Sequence, residues 1–333
     1  MSVAITVEGI DTPVQTEAGD TLLDALIMAG VPFPYSCQAG NCGTCKCELL
    51  DGDINELEYS EHALKPEERA KNVILACRTQ VWGDTAIRRI EAEELVLHPS
   101  RVMRCRVAGI ETLTHDIRGI RLVIEAGGPF MFSAGQYAQV EFAPGLSKHY
   151  SMASTPSEPE IELQIRCMPG GRTSTHVANA LKVGDTVKVS GPLGSSYLRD
   201  RHAGPVLLVA GGSGFAPMQS ILNTLMARDY REKVVLYFGV RSERDLYREG
   251  LLRDLAARHP NFSYHVVLSE QLGAPGRRYG LVHEAAAHDI ADFTGWKAYL
   301  AGPPVMVEAA TAMLESRGLA HRDIHADAFY NQP

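Results

Sequence analysis

The chain has 333 residues, of which 45% are apolar and 22% charged, and a formal net charge of −8. That balance is ordinary for a soluble globular protein and excludes a disordered chain, a collagen-like repeat and a coiled coil, while the length points to about two domains. No apolar run approaches the ~20 residues of a bilayer span, and Met1 to Glu8 offers neither a basic n-region nor an apolar h-region, so neither a membrane segment nor a secretory signal is expected and the chain reads as cytoplasmic. The charge is uneven: residues 1–98 hold 17 acidic and 7 basic side chains, a net of −10, and the rest hold 23 and 25, a net of +2. An acidic first third argues against nucleic acid or an anionic membrane as its partner and suits a basic protein surface, or a solvated face with no partner at all.

In chain order, three parts emerge, with joints at 91–100 and 199–205. The first opens on alternating Val3-Ala4-Ile5-Thr6-Val7, with a second strand expected near 12–15. Asp20-Thr21 is a helix cap ahead of Leu22, Leu23, Leu26 and Ile27, which have helical spacing. Strand signals return at 47–50, 73–75 and 85–87, so one helix lies against a small mixed sheet, an α+β ubiquitin-like (β-grasp) roll. The second part has alternating runs at 121–124, 137–142, 161–165 and 186–189, with a helix near 174–181, the pattern of a small antiparallel β-barrel. The third alternates strands at 206–210, 234–238, 264–268 and 297–300 with helices at 218–228, 251–258 and 305–317, which implies an α/β doubly wound parallel sheet. The expected domains are 1–94, 101–201 and 205–333.

Seven cysteines in a cytoplasmic-looking chain do not suggest a disulfide framework. Cys37, Cys42 and Cys45 have C-x4-C-x2-C spacing, with Cys77 further on, which is the plant-type spacing for a [2Fe–2S] cluster. Three thiolates on one loop converge on a compact diiron core and a fourth arrives from elsewhere, while Gly40 and Gly43 let the backbone turn inward. A structural zinc site would more often show two C-x2-C pairs. Cys47, Cys105 and Cys167 lie in apolar or alternating stretches and are expected to pack as small hydrophobes.

Lys148-His149-Tyr150-Ser151 ends a strand with a cation, an aromatic and a hydroxyl that could hold a phosphate and a planar ring together. It also reads as a strand of mixed composition. Gly170-Gly171-Arg172-Thr173-Ser174 leads into a helix whose start suits a pyrophosphate, or is simply capped. Ala210-Gly211-Gly212-Ser213-Gly214-Phe215-Ala216-Pro217 joins a buried strand to a helix. Although it is not the full G-x-G-x-x-G fingerprint, its glycines let a dinucleotide phosphate approach the backbone.

Taken in order, these motifs and the turn Ala301-Gly302-Pro303-Pro304 resemble the NAD(P)H-dependent reductase components of bacterial aromatic oxygenases, the naphthalene-dioxygenase type. The likeness extends to Ser190-Gly191-Pro192-Leu193-Gly194, to 236–242 and to the tail His325-Ala326-Asp327-Ala328-Phe329-Tyr330, and so covers essentially the whole chain. It implies that Cys37, Cys42, Cys45 and Cys77 ligate the cluster and that Tyr150, Ser151 and Phe329 act at the flavin ring of FAD. It further implies Lys148, Gly171 and Ser174 at the flavin phosphates, and Gly211, Gly212, Gly214, Arg241, Gly302 and Pro303 at the nicotinamide nucleotide. Lys148 stands where the family usually has Arg, which keeps the charge and loses the bidentate fork. Ala301 stands where it usually has Cys.

The implied activity is conversion of a two-electron donor into single electrons: NADH to FAD to cluster to a Rieske-type ferredoxin or the terminal oxygenase. A reductase serving a diiron monooxygenase or a sugar-deoxygenating system would use the same cofactors, and a non-enzymatic redox sensor would need no turnover. NADH is expected over NADPH because acidic Glu243, Asp245 and Glu270 lie near the strand ends that read the ribose, although Arg241, Arg277 and Arg278 could accept a 2′-phosphate.

Overall fold

The computed structural model describes every residue except Ser36, Cys37, Cys42, His62, 91–93, Leu95, Leu97, Ala274 and 331–333. The chain divides into two compact units, Met1–Leu97 and His98–Pro333.

The first unit runs β1 (Ser2–Val7), β2 (Val14–Glu17), α1 (Leu22–Met28), β3 (Lys46–Asp51), β4 (Ile54–Glu56), the single turn α2 (Pro66–Arg69), β5 (Val73–Leu75), β6 (Thr79–Val81) and β7 (Thr85–Arg89). Five strands form a mixed sheet in the order β2-β1-β7-β3-β5, and β4 pairs with β6. β1 and β7 are parallel and the other pairs antiparallel. The alternation read from the sequence buries Val3, Ile5 and Val7, and α1 covers them with Leu22, Leu23 and Leu26 in one core. Thr21 caps α1 by accepting from the Asp24 N–H at 3.2 Å, which satisfies one of the helix's orphan donors. This is the β-grasp roll.

The second unit begins with β8 (Arg101–Thr112), β9 (Ile117–Ala126), β10 (Tyr137–Ala143), β11 (Leu146–Ser151), β12 (Glu160–Arg166), α3 (Arg172–Asn179) and β13 (Thr186–Leu193). These strands pair antiparallel in the order β11-β10-β13-β8-β9-β12. A bridge between Met152 and Leu163 ties the two edge strands, so the sheet curls onto itself as a barrel. The chain continues as β14 (Val206–Gly211), α4 (Phe215–Ala227), β15 (Val234–Val240), α5 (Glu249–Arg258), β16 (Phe262–Leu268), β17 (Arg278–Tyr279), α6 (Val282–Asp289), β18 (Lys297–Gly302), α7 (Pro304–Ser316) and β19 (Ile324–Ala328). All of these strands are parallel, in the order β17-β16-β15-β14-β18-β19.

Successive residues of β14 face opposite layers. Leu208 and Ala210 pack with α4 and α5, and Leu207 and Val209 pack with α6 and α7. Burial on both faces is why this strand reads as an unbroken apolar run. The strand order reverses between β14 and β18, the switch point where such sheets open a crevice for ligands. No helix among the described residues is long and apolar enough to cross a membrane.

Candidate functional site

In the first unit, Cys45 and Cys77 are brought together from 32 positions apart. Their Sγ atoms lie 3.3 Å from each other and the residues are 3% and 5% exposed. That separation is far beyond a disulfide bond. The Ala76 N–H bonds the Cys45 carbonyl at 3.0 Å, which fixes the short turn carrying Cys77 against the start of β3. The loop before Cys45 needs its glycines: Gly40 has φ +74 and Gly43 has φ +71, and a Cβ at either would strike Arg78 and Tyr59 or the Ala63 carbonyl within 3 Å. The expected ligands Cys37 and Cys42 lie outside the described residues. Two adjoining buried thiols beside a glycine-cradled loop fit a thiolate-ligated cluster.

The remaining cysteines contrast with this pair. Burial pushes the Cys47 thiol up to about 12, and burial followed by the nearby Glu125 charge takes Cys105 to about 11. Both are fully buried and pack as expected. Cys167 departs from that expectation: it is only half-buried, because it lies just past the end of β12, at the start of the loop into α3.

In the second unit, Ser151 is the last residue of β11 and donates to Asp327 Oδ2 at 3.3 Å, reaching from barrel to parallel sheet. Tyr150 stands edge-on to Phe142, with centroids 5.8 Å apart, and burial, then the Cys167 charge, raises its hydroxyl well above the usual range. Lys148 is exposed two residues before Tyr150, on the same face of the strand. Gly171 is the N-cap of α3 and brings no side chain to the first-turn N–H groups, leaving them open to an anion. The Ser174 hydroxyl bonds the carbonyls of Met168 and Gly171 at 3.1 and 3.2 Å, so it shapes that turn.

At the switch point, two turns interlock as bare backbone. Gly212 has φ +56 and Gly302 φ +148. A Cβ on Gly211 would meet Met306 and Pro303 within 3 Å, one on Gly214 would lie 2.1 Å from the Ala301 carbonyl oxygen, and one on Gly302 would lie 3.0 Å from Gly211. The Phe329 N–H bonds the Gly302 carbonyl at 2.9 Å. Asp327, Phe329, Gly302 and Gly211 therefore lie together at the carboxyl edge of the parallel sheet, and Ser151 of the barrel meets that edge through Asp327.

Sequence reasoning gave no role to Asp327, Asp116 or Arg166. Arg166 Nε donates to Asp116 Oδ2 at 3.0 Å, and its guanidinium lies 3.1 Å from where a Cβ on Gly212 would sit. Arg241 bonds Asp245 at 2.7 Å and Asp116 at 3.4 Å. The Asp245 hydrogen bond, which outweighs desolvation, holds this arginine more firmly protonated. Partners separated by 50 to 176 positions leave no local signal in the sequence.

Three family profiles match the chain: a 2Fe-2S iron-sulfur cluster binding domain over residues 5–81, an oxidoreductase FAD-binding domain over 104–197 and an oxidoreductase NAD-binding domain over 208–312. The chain is similar to the ferredoxin–NAD(P)+ reductase component of the naphthalene 1,2-dioxygenase/salicylate 5-hydroxylase systems of Ralstonia sp., with 43% identity over 98% of each chain. It is 41% identical, over 94% of each chain, to the corresponding component of the naphthalene 1,2-dioxygenase system of Pseudomonas putida. Among solved structures it resembles an Amycolatopsis cytochrome P450 reductase, with a TM-score of 0.81, 36% identity and 98% of each chain covered.

Proposed function

The chain belongs to the ferredoxin–NAD(P)+ reductase family of iron–sulfur flavoproteins, and from that premise we propose that it is the reductase component of an aromatic-ring-hydroxylating dioxygenase system. When bound, the nicotinamide supplies an electron pair as a hydride, FAD takes the pair and releases it singly, and the [2Fe–2S] cluster carries one electron at a time. The acceptor is a Rieske-type ferredoxin or the terminal oxygenase, in the cytoplasm. The observation that carries this reading is that Ser151 of the barrel reaches Asp327 where Asp327, Phe329 and the bare turns at Gly211 and Gly302 meet at the carboxyl edge of the parallel sheet.

Each residue has a physical task there. Cys37, Cys42, Cys45 and Cys77 hold the cluster. Tyr150 and Phe329 offer apolar faces to the flavin ring, and Ser151, oriented by Asp327, offers a hydroxyl at its edge. Lys148 and the first-turn N–H groups after Gly171 take the flavin phosphates, with Ser174 holding that turn in shape. Gly211, Gly212, Gly214, Gly302 and Pro303 let the nicotinamide nucleotide lie against backbone, with Arg166 and Arg241 nearby as cations. NADH is the favoured donor, since three arginines near the ribose end are held by carboxylates: Arg241 by Asp245, Arg277 by Glu243 and Glu249, and Arg278 by Asp289.

An anaerobic NADH titration followed by absorbance tests the reading, with flavin and cluster both expected to bleach. Cys45→Ser should abolish the cluster yet still pass electrons from NADH to ferricyanide while failing with cytochrome c. A parent protein that binds no flavin, or a variant that keeps cytochrome c reduction, overturns it.

A further inference from the structure

In doubly wound nucleotide folds the donor's ribose meets the carboxyl edge of the sheet, where an acidic side chain suits a bare ribose and an arginine suits a 2′-phosphate. This chain places both at that edge. Glu243 opens the short turn Glu243–Asp245 after β15, and its N–H donates to Gln271 in the loop after β16 at 2.9 Å. Arg277 immediately precedes β17, whose two residues pair with Val267 and Leu268 at the carboxyl end of β16.

The Arg277 guanidinium is forked between two carboxylates. Nε and Nη2 donate to Glu243 at 2.5 and 3.1 Å, and Nη1 and Nη2 donate to Glu249 at 2.6 and 3.0 Å. Its side chain is 17% exposed, against 37% for Glu243 and 21% for Glu249. Two carboxylates on one guanidinium leave the group net negative and consume most of the planar fork of donors that makes arginine a phosphate ligand. A 2′-phosphate arriving here meets repulsion from Glu243, the most open of the three, whereas a ribose hydroxyl meets a carboxylate that can accept its hydrogen bond.

We propose that Glu243 and Glu249 clamp Arg277 away from a 2′-phosphate, and that Glu243 is the side chain through which this protein selects NADH over NADPH. The proposal rests on the NADH reading above and supplies its mechanism. Arg277 is a latent phosphate ligand, kept silent by its own neighbours.

The full-length holoprotein is titrated calorimetrically with ADP and with 2′,5′-ADP. The parent is expected to bind ADP more tightly. Glu243→Gln should tighten 2′,5′-ADP about tenfold, the scale of one charge-assisted contact, and leave ADP unchanged or weaker. Adding Arg277→Ala should cancel the gain. If Glu243→Gln loses its flavin absorbance, Glu249→Gln, which opens the same fork from the other side, should give the same gain. A parent that prefers 2′,5′-ADP overturns the NADH reading itself. A parent that prefers ADP, with neither glutamine variant tightening 2′,5′-ADP, overturns the clamp and leaves the NADH reading standing. A gain that survives Arg277→Ala also overturns the clamp, since relief of repulsion alone would then explain it.

Discussion

Gly214 shows how tightly single residues are constrained at the switch point. A methyl group here would lie 2.1 Å from the Ala301 carbonyl oxygen and 2.4 Å from its carbon. Both atoms are backbone, so no side-chain rotation relieves the clash, and the turn must separate from β18. Overpacking of this kind costs about 1–3 kcal/mol. Gly214→Ala should therefore weaken NAD+ binding by tenfold or more in a calorimetric titration while the flavin spectrum persists. Gly239→Ala is the control: its Cβ would meet Val282 Cγ1 at 2.4 Å, the end of a side chain that can turn, and its binding loss should be smaller. Equal losses in the two variants would contradict this account. Both glycine turns are legible in the sequence, because positive φ and close backbone approach leave few substitutes. The cysteine spacing is legible for a similar reason, since one loop must deliver several ligands. The raised thiols of Cys47 and Cys105 make a second expectation at this scale: iodoacetamide at pH 8 should leave both unmodified in the folded protein.

Elements differ in how openly the sequence announces them. The apolar strands at 206–210 and 234–238 and the leucine-spaced α1 are unmistakable, whereas β8, β19 and α6 are not foreseen. β8 alternates correctly, with Met103, Cys105 and Val107 inward and fully buried, but its core residues are mostly not β-branched and arginines stand between them. α6 (Val282–Asp289) has only Val282 and Ala286 buried, too thin a stripe to declare a period. It is held instead by Asp289, which accepts from Tyr237 on β15 at 2.7 Å and pairs with Arg278 on β17. Burial pushes this carboxyl up, but hydrogen bonds from Tyr237, Arg278 and His288 outweigh it and hold it at about 2. A folded value below the unfolded one stabilises above the unfolded pKa, and that stabilisation is lost as pH falls from about 4 toward 2; Asp289 is solvent-exposed, so screening by water keeps its worth small. Asp289→Asn should lower the melting temperature at pH 7, and the gap to the parent should narrow by about half by pH 3. A gap that stays constant with pH would mean that packing, rather than the charge, holds α6.

Across the whole molecule the charge is divided as the cofactor sites are. Residues 1–98 carry a net −10 and the remainder a net +2, and the 2Fe-2S domain, residues 5–81, belongs to the acidic part. Exposed Glu58 and Glu61 bracket Tyr59 and Ser60, and the Ser60 N–H bonds the Gly40 carbonyl within the cluster loop at 3.0 Å. A protein collecting electrons at this loop would meet these acids first. Electron-transfer contacts are small and brief, so charge governs their encounter rate more than buried area does. The screening length falls from about 10 Å at 0.1 M salt to about 3 Å at 1 M. Stopped-flow rates of electron delivery to the protein acceptor should therefore fall across that range, while NADH–ferricyanide turnover, which requires no docking, should change less. The double variant Glu58→Gln/Glu61→Gln should deliver electrons more slowly at low salt and show a shallower salt dependence, with its cluster spectrum intact. If delivery by the parent is flat or rises with salt, docking depends on apolar contacts beside the loop and the acidic surface serves solubility alone.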